Sequence, residues 1–182
     1  MIYTREEILH YLEAERQRFQ SAMKYSGPIT LWAPNLNKDA TESLGCHLVM
    51  EGKILPQLSP ITEVKRFRSK DILVNKYHKL EVKATSTKTG DITPSESNFE
   101  AFAWIWFAFQ NFLYRDNYII PVHIITNPKQ CVRPDRYVET LRQSKLSIIN
   151  AIKEATKTGN YSYYECDLKQ MKLRPQKIEQ FL

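Results

Sequence analysis

Cysteine is scarce in this sequence, with three residues in a chain of 182. Cys46, Cys131 and Cys166 lie far apart, no Cys-x-x-Cys motif occurs, and no secretory signal opens the chain. Reduced thiols in a cytoplasmic protein are therefore expected. The four histidines are scattered without a His-x-x-x-His spacing, which argues against a zinc site.

Long hydrophobic runs are also absent from the sequence. The longest, residues 101–109, is far short of the ~20 residues that cross a bilayer, so we expect no membrane span. No internal repeat or low-complexity tract interrupts the chain. Its length and its 42% hydrophobic and 25% charged content are typical of one globular domain covering residues 1–182.

Positive charge is in moderate excess. The net charge is +6 and the isoelectric point is about 9.2. An excess of this size does not prove a nucleic-acid partner, but it favours a polyanion over a cationic partner.

The stretch 71–86 has the pattern of a β-hairpin. Strand formers are followed by a polar turn at 75–78, and apolar and polar residues then alternate. Because side chains alternate along a strand, Glu81 and Lys83 share one face, and closure of the hairpin brings Asp71 beside that face. The sequence therefore predicts two carboxylates and an ammonium group in one small patch.

Such a patch suits a hard divalent cation such as Mg²⁺, which relieves the repulsion between adjacent carboxylates. A metal of this kind binds a phosphate oxygen and acidifies a water for attack on phosphorus. Lys83 would then orient that water or offset the charge that develops on the phosphate. The alternative is an exposed hairpin on which Glu81 and Lys83 form an ordinary ion pair.

At these residues the chain resembles the PD-(D/E)xK nuclease superfamily, and within it the small type II restriction endonucleases. Asp71 followed by Glu81, Val82 and Lys83 fits the family's spacing, although Lys70 stands where a proline is expected. The resemblance implies that Asp71 and Glu81 are metal ligands, that the Val82 carbonyl completes the metal shell, and that Lys83 is the catalytic lysine.

The resemblance also implies a fold and a function. The expected fold is α/β, a restriction-endonuclease-like mixed sheet with an αβββαβ core flanked by helices. The expected activity is Mg²⁺-dependent endonucleolytic cleavage of double-stranded DNA by a homodimeric, sequence-specific restriction enzyme. The alternatives are a structure-selective repair or phage recombination nuclease, and a non-catalytic DNA-binding protein.

The resemblance further implies one more acidic residue, on a helix ahead of the sheet. Glu42 is the first candidate and Glu51 the second, although Glu42 also fits a helix-capping role. Candidate DNA-binding residues are a basic group before the hairpin and a polar group after it: Lys65, Arg66, Arg68, Lys70, Thr85, Ser86 and Lys88. The basic group also fits a solvated edge strand without a DNA contact, and the polar group also fits a plain flexible loop.

Capping residues and hydrophobic spacing predict the positions of further helices and strands. Helices are expected at about 4–24, 39–52, 97–114 and 134–157, and strands at 61–67 and 118–125. The helix at 97–114 is apolar nearly all round, which fits the core of the chain or a dimer contact. The basic, aromatic tail at about 160–182 is expected to be an arm that contacts DNA or a second subunit.

Overall fold

The computed structural model describes residues 1–26, 36–67, 71–86, 91–92, 94–139 and 143–177. Its helices are α1 (Arg5–Ser26), α2 (Lys38–Met50), α3 (Glu96–Phe99), α4 (Gln110–Arg115), α5 (Pro128–Cys131) and α6 (Ile148–Lys157). Its strands are β1 (Val64–Arg66), β2 (Ile72–Val74), β3 (His78–Thr85), β4 (Asp91–Ile92), β5 (Ala103–Ala108), β6 (Ile119–Thr126), β7 (Arg136–Val138), β8 (Gln143–Ser147), β9 (Tyr161–Asp167) and β10 (Lys172–Gln176).

The fold is mixed α/β, with a seven-stranded, mostly antiparallel sheet flanked by helices. The strand order is β1-β2-β3-β5-β6-β9-β10. β3 and β5 run parallel, and the other neighbours in the described part of this sheet are antiparallel. A second sheet has three strands in the order β4-β8-β7, and these strands come between strands of the first sheet along the chain.

Three local predictions are confirmed. Thr4 and Glu7 form the expected capping box at the start of α1, with the Thr4 N–H donating to Glu7 Oε2 at 2.8 Å. β1 pairs with β2, and β2 pairs with β3 through a turn at 75–77. The strand predicted at 118–125 is β6. At the start of α2 the capping residue is Asn37, whose side chain accepts a hydrogen bond from the Ala40 N–H.

The predicted helix at 97–114 is wrong. Its centre is the strand β5, all six residues of which are buried between β3 and β6. The short helices α3 and α4 lie before and after it, and the capping pair at α3 is Ser95 with Asn98. A run that is apolar on every side fits a strand buried on both faces as well as a buried helix, so periodicity alone did not separate them. These residues form the core of the chain.

The predicted helix at 134–157 is wrong in its first half. β7 and β8 form an antiparallel pair there, and the helical spacing of buried residues begins with α6. Leu146 in β8 is buried between the half-buried residues Lys145 and Ser147, an alternation typical of a strand.

The predicted C-terminal arm is also corrected. Within the described residues, 161–176 supply β9 and β10 to the central sheet, and β9 pairs with the buried strand β6. Aromatic strand formers such as Tyr161 and Tyr163 lie in β9, where Tyr163 is buried. This segment therefore belongs to the sheet through residue 176.

Two hydrophobic cores cover the two faces of the central sheet. One joins α1, α2 and α4 to one face, and its members include Leu12, Leu44 and Phe112. The other joins α6 and β8 to the opposite face around Trp104 and Trp106. The connection from β3 to β5 spans residues 86–102, which is long enough for the crossover that two parallel neighbouring strands require.

Helix α2 lies very close to β2 and β3. A Cβ atom at Gly45 would be 2.9 Å from Cδ1 of Ile72 and 3.2 Å from Cγ2 of Val82, so glycine permits this approach. As a result the first turns of α2 lie beside the start of β2, and this brings Glu42 to the predicted site.

Candidate active site

The turn of the β2–β3 hairpin fixes the register of the two strands. Asn75 and Lys76 both have positive φ angles, 49° and 65°. The Asn75 side chain accepts from the Thr62 N–H at 2.8 Å and donates to the Pro60 carbonyl at 3.0 Å, which holds this conformation. Ile72 pairs with Leu80, so continuing the register by one residue places position 71 beside position 81.

Asp71 lies at the start of β2 and is buried, with 7% of its surface exposed. Its Oδ2 accepts a 2.7 Å hydrogen bond from the backbone N–H of Val82 in β3. Its Oδ1 lies 3.4 Å from Nζ of Lys38 in α2. The Asp71 carboxylate is thus held against the backbone of the strand that carries Glu81 and Lys83.

Glu81 and Lys83 lie on the same face of β3, as predicted. Lys83 Nζ donates to Glu81 Oε1 at 2.8 Å. Glu81 is buried and the Lys83 side chain is 24% exposed. Their pairing partners in β5 are Trp104 and Trp106. The ordinary Glu81–Lys83 ion pair, which was the alternative to a metal site, is present. It lies on the strand whose backbone also binds Asp71.

Glu42 is the helix acid that lies beside Asp71. It is buried, its Oε2 accepts from Arg66 Nε at 2.9 Å, and its Oε1 lies 3.3 Å from Lys38 Nζ. Burial raises the pKa of Glu42, and the nearby charge of Asp71 raises it further, while Arg66 and Lys38 act in the opposite direction. The other candidate, Glu51, instead pairs with Arg5 and Lys53.

Of the predicted DNA-binding residues that the structure describes, Arg66 has the largest number of charged partners. Besides Glu42, its guanidinium binds Asp39, and Nη1 donates to the Met1 carbonyl at 3.2 Å. Lys65, on the neighbouring position of β1, points elsewhere and lies 3.4 Å from Glu63 Oε1.

The remaining predicted DNA-binding residues fall into two groups. Thr85 accepts from Trp106 Nε1 at 3.1 Å through its Oγ1, and Ser86 lies just past the end of β3. Arg68, Lys70 and Lys88 lie outside the described residues.

An open pocket of about 500 Å³ lies over Glu42 and Asp71, and the described residues that line it do not include Glu81 or Lys83. Lys38, Glu42, Arg66, Phe67 and Asp71 are among the residues that line it. Lys38 and Asp39 also line this pocket and were not predicted from the sequence. A signal was present for Lys38, because it lies four residues before Glu42 and so shares its helix face.

The donor set suits a hard cation. Glu42 Oε1 and Asp71 Oδ1 both lie within 3.4 Å of one ammonium nitrogen, and carboxylate oxygens are the ligands that Mg²⁺ prefers. No group of three or more His, Cys, Asp or Glu side chains that could hold a metal ion occurs in the part of the chain that the structure describes. Two carboxylates, those of Glu42 and Asp71, therefore meet at Lys38, while the Glu81 carboxylate is bound to Lys83.

Among the described residues, no helix is long and apolar enough to span a membrane. Comparisons of the chain with protein-family models, with curated proteins and with solved structures found no match.

Proposed function

We propose that this protein is a Mg²⁺-dependent endonuclease that hydrolyses phosphodiester bonds of double-stranded DNA. The observation that carries the proposal is the hydrogen bond from the Val82 N–H to Asp71 Oδ2. It ties the Asp71 carboxylate to the strand on which Glu81 and Lys83 share a face, and Glu42 approaches the same carboxylate from α2.

The strand arrangement supports the restriction-endonuclease-like interpretation. α2 precedes the antiparallel strands β1, β2 and β3, and β5 then returns parallel to β3. This order fits the αβββαβ core that the sequence resemblance implies. It departs from that core in the crossover, where the described helix, α3, has four residues.

In the proposed site, Asp71, Glu81 and the Val82 carbonyl would hold the metal, with Glu42 as a further acid beside it. When bound, Mg²⁺ polarises the phosphate and lowers the pKa of a coordinated water. The chain's own contribution is positional. Asp71 is fixed by a backbone donor, Glu42 is oriented by Arg66, and the Lys83 ammonium, held at Glu81, stabilises negative charge that develops on the phosphate.

The substrate follows from the charge of the chain and from its basic residues. A net charge of +6 favours a polyanion, and we assign phosphate contacts to Lys65, Arg68, Lys70 and Lys88 and further contacts to Thr85 and Ser86. We propose a homodimeric type II restriction enzyme, because two-fold symmetry lets two identical sites cut both strands of a palindrome. Sedimentation analysis of the protein with DNA tests the dimer.

Plasmid cleavage in Mg²⁺ tests the activity. The wild-type protein is expected to cut, and Asp71→Ala and Lys83→Ala are expected to remain folded and to lose cleavage. Lys79→Met, at an exposed position on the same strand, and Glu96→Gln, at an exposed position in α3, are matched controls that keep activity. Full cleavage by Asp71→Ala would contradict the metal assignment.

The digestion pattern separates the types of nuclease. Discrete fragments from a phage genome support a sequence-specific restriction enzyme, whereas nicks or a smear indicate a structure-selective or recombination nuclease. DNA binding without hydrolysis in both Mg²⁺ and Mn²⁺ would instead indicate a non-catalytic DNA-binding protein.

A further inference from the structure

Lys38 bridges the two acidic residues that come from different elements of the site. Its Nζ lies 3.3 Å from Glu42 Oε1 and 3.4 Å from Asp71 Oδ1. The ammonium group therefore attracts both carboxylates, and its single positive charge offsets only part of their negative charge, in a position between them that also favours other cations.

The second oxygen of each carboxylate has its own donor. Glu42 Oε2 accepts from Arg66, and Asp71 Oδ2 accepts from the Val82 N–H. Both carboxylates are thereby oriented so that Oε1 and Oδ1 face the same point. These two oxygens remain as the pair that a cation in the pocket can reach.

The two basic side chains at this pair differ in how firmly they are held. The Arg66 side chain is 22% exposed and binds Glu42, Asp39 and the Met1 carbonyl, whereas the Lys38 side chain is 77% exposed. An exposed lysine gains little from an ion pair, because water solvates its ammonium group well. Lys38 is thus the displaceable partner, and Arg66 stays with Glu42.

We propose that Lys38 and a divalent cation compete for Glu42 Oε1 and Asp71 Oδ1, so that Lys38 leaves these oxygens when the cation binds. This inference rests on the proposed metal-dependent function and adds to it a residue that sets cation affinity. Lys38 holds the two carboxylates together with one positive charge. A divalent cation replaces it because it brings two positive charges to the same oxygens.

Mn²⁺ binding to the purified full-length protein, followed by the electron paramagnetic resonance of free Mn²⁺, tests the competition without measuring activity. Lys38→Met removes the charge and keeps the length of the side chain, and we expect it to bind Mn²⁺ about 5-fold more tightly than the wild type. Lys38→Arg keeps the charge and is expected to bind Mn²⁺ no more tightly than the wild type.

Two matched controls separate displacement from a general change of charge. Lys65→Met removes a charge from β1, where Lys65 pairs with Glu63, and Lys53→Met removes one beyond the far end of α2, where Lys53 pairs with Glu51. Both are expected to change Mn²⁺ affinity by less than about 2-fold, because exposed charges at a distance are screened by salt.

The outcomes are distinct. Equal or weaker Mn²⁺ binding by Lys38→Met overturns the competition, while Mn²⁺ binding itself leaves the proposed function standing. A gain in Lys65→Met as large as that in Lys38→Met also overturns it, because the effect is then one of net charge. Failure of both the wild type and Lys38→Met to bind Mn²⁺ overturns the inference and the proposed function together.

Discussion

The backbone N–H of Val82 donates a 2.7 Å hydrogen bond to Oδ2 of Asp71, and both residues are buried. The bond forms at the start of β2, just beyond the last residue pair of its ladder with β3, where a side chain serves as acceptor. Asp71 is therefore part of the sheet as well as part of the proposed site, and its two roles are separable.

The role of Asp71 in the sheet predicts how its variants unfold. Asp71→Asn keeps an acceptor oxygen and should lower the free energy of unfolding by less than about 1 kcal/mol, whereas Asp71→Leu leaves the Val82 N–H without this acceptor and should lower it by about 1–3 kcal/mol. Urea denaturation measures both values. Both variants should lose cleavage, and equal stability of the two would contradict the structural role.

Arg66 is predicted to stabilise the fold through Glu42. Its Nε and Nη2 lie 2.9 and 2.8 Å from Glu42 Oε2. Arg66→Met leaves the buried Glu42 carboxylate undercompensated, and we expect a loss of about 2 kcal/mol, below the range for fully buried pairs because Arg66 is partly exposed. Chemical denaturation measures the loss.

A double-mutant cycle isolates the Arg66–Glu42 contribution. Arg66→Met in a Glu42→Gln background should lose markedly less stability than in the wild type, because the buried charge is gone. Arg5→Met, which breaks the more exposed contact with Glu51, is the control and should change stability by no more than about 1 kcal/mol. Additive losses at Arg66 and Glu42 would contradict the coupling.

Gly45 is predicted to set the position of α2. Gly45→Val would place side-chain atoms where Ile72 and Val82 already lie, so we expect a loss of about 1–3 kcal/mol from overpacking. Because Glu42 lies one turn earlier on the same helix, cleavage should fall as well. Met50→Val, at the exposed end of α2, places the same β-branched side chain in the helix without the clash and should leave stability and cleavage nearly unchanged.

His123 is predicted to make stability depend on pH. Burial lowers the pKa of His123 to about 3, so the folded state stays unprotonated while the unfolded chain takes up a proton near pH 6.5. The free energy of unfolding is then highest above about pH 6.5 and falls by about 1.4 kcal/mol per pH unit as the pH drops toward 3. At pH 5 the loss is about 2 kcal/mol.

The variant His123→Phe tests this dependence. It retains an aromatic ring beside Tyr163, whose ring stacks on His123 at 5.3 Å, and should lose less stability than the wild type between pH 7.5 and pH 5. His10→Gln, at an exposed position, should keep the wild-type difference. An unchanged pH dependence in His123→Phe would contradict the role of this residue.

The hairpin and its acidic and basic residues were predictable because their signals are local. The alternation around Glu81 and Lys83 sets their shared face, and the spacing to Asp71 matches one turn between two strands. The Thr4–Glu7 cap is local for the same reason. The metal-binding and catalytic roles of these residues remain predictions.

The rest of the fold depends on contacts that are distant in sequence. The apolar run around Trp104 fits a helix or a buried strand, and the neighbours β3 and β6 decide for a strand. Tyr161 and Tyr163 were predicted to lie in an arm, but they belong to a strand that pairs with β6, which is distant in sequence. Arg66 and Asp71 meet Glu42 because Gly45 lets α2 approach the sheet, which no local pattern predicts.

The most direct measurement of the central claim is anomalous diffraction from crystals of the protein soaked in Mn²⁺. We predict an anomalous peak in contact with Asp71, Glu81 and Glu42, with Lys38 moved off the carboxylates of Asp71 and Glu42. An empty site, with Asp71 still bound to Lys38 and turned away from Glu81, would contradict the metal-dependent nuclease assignment.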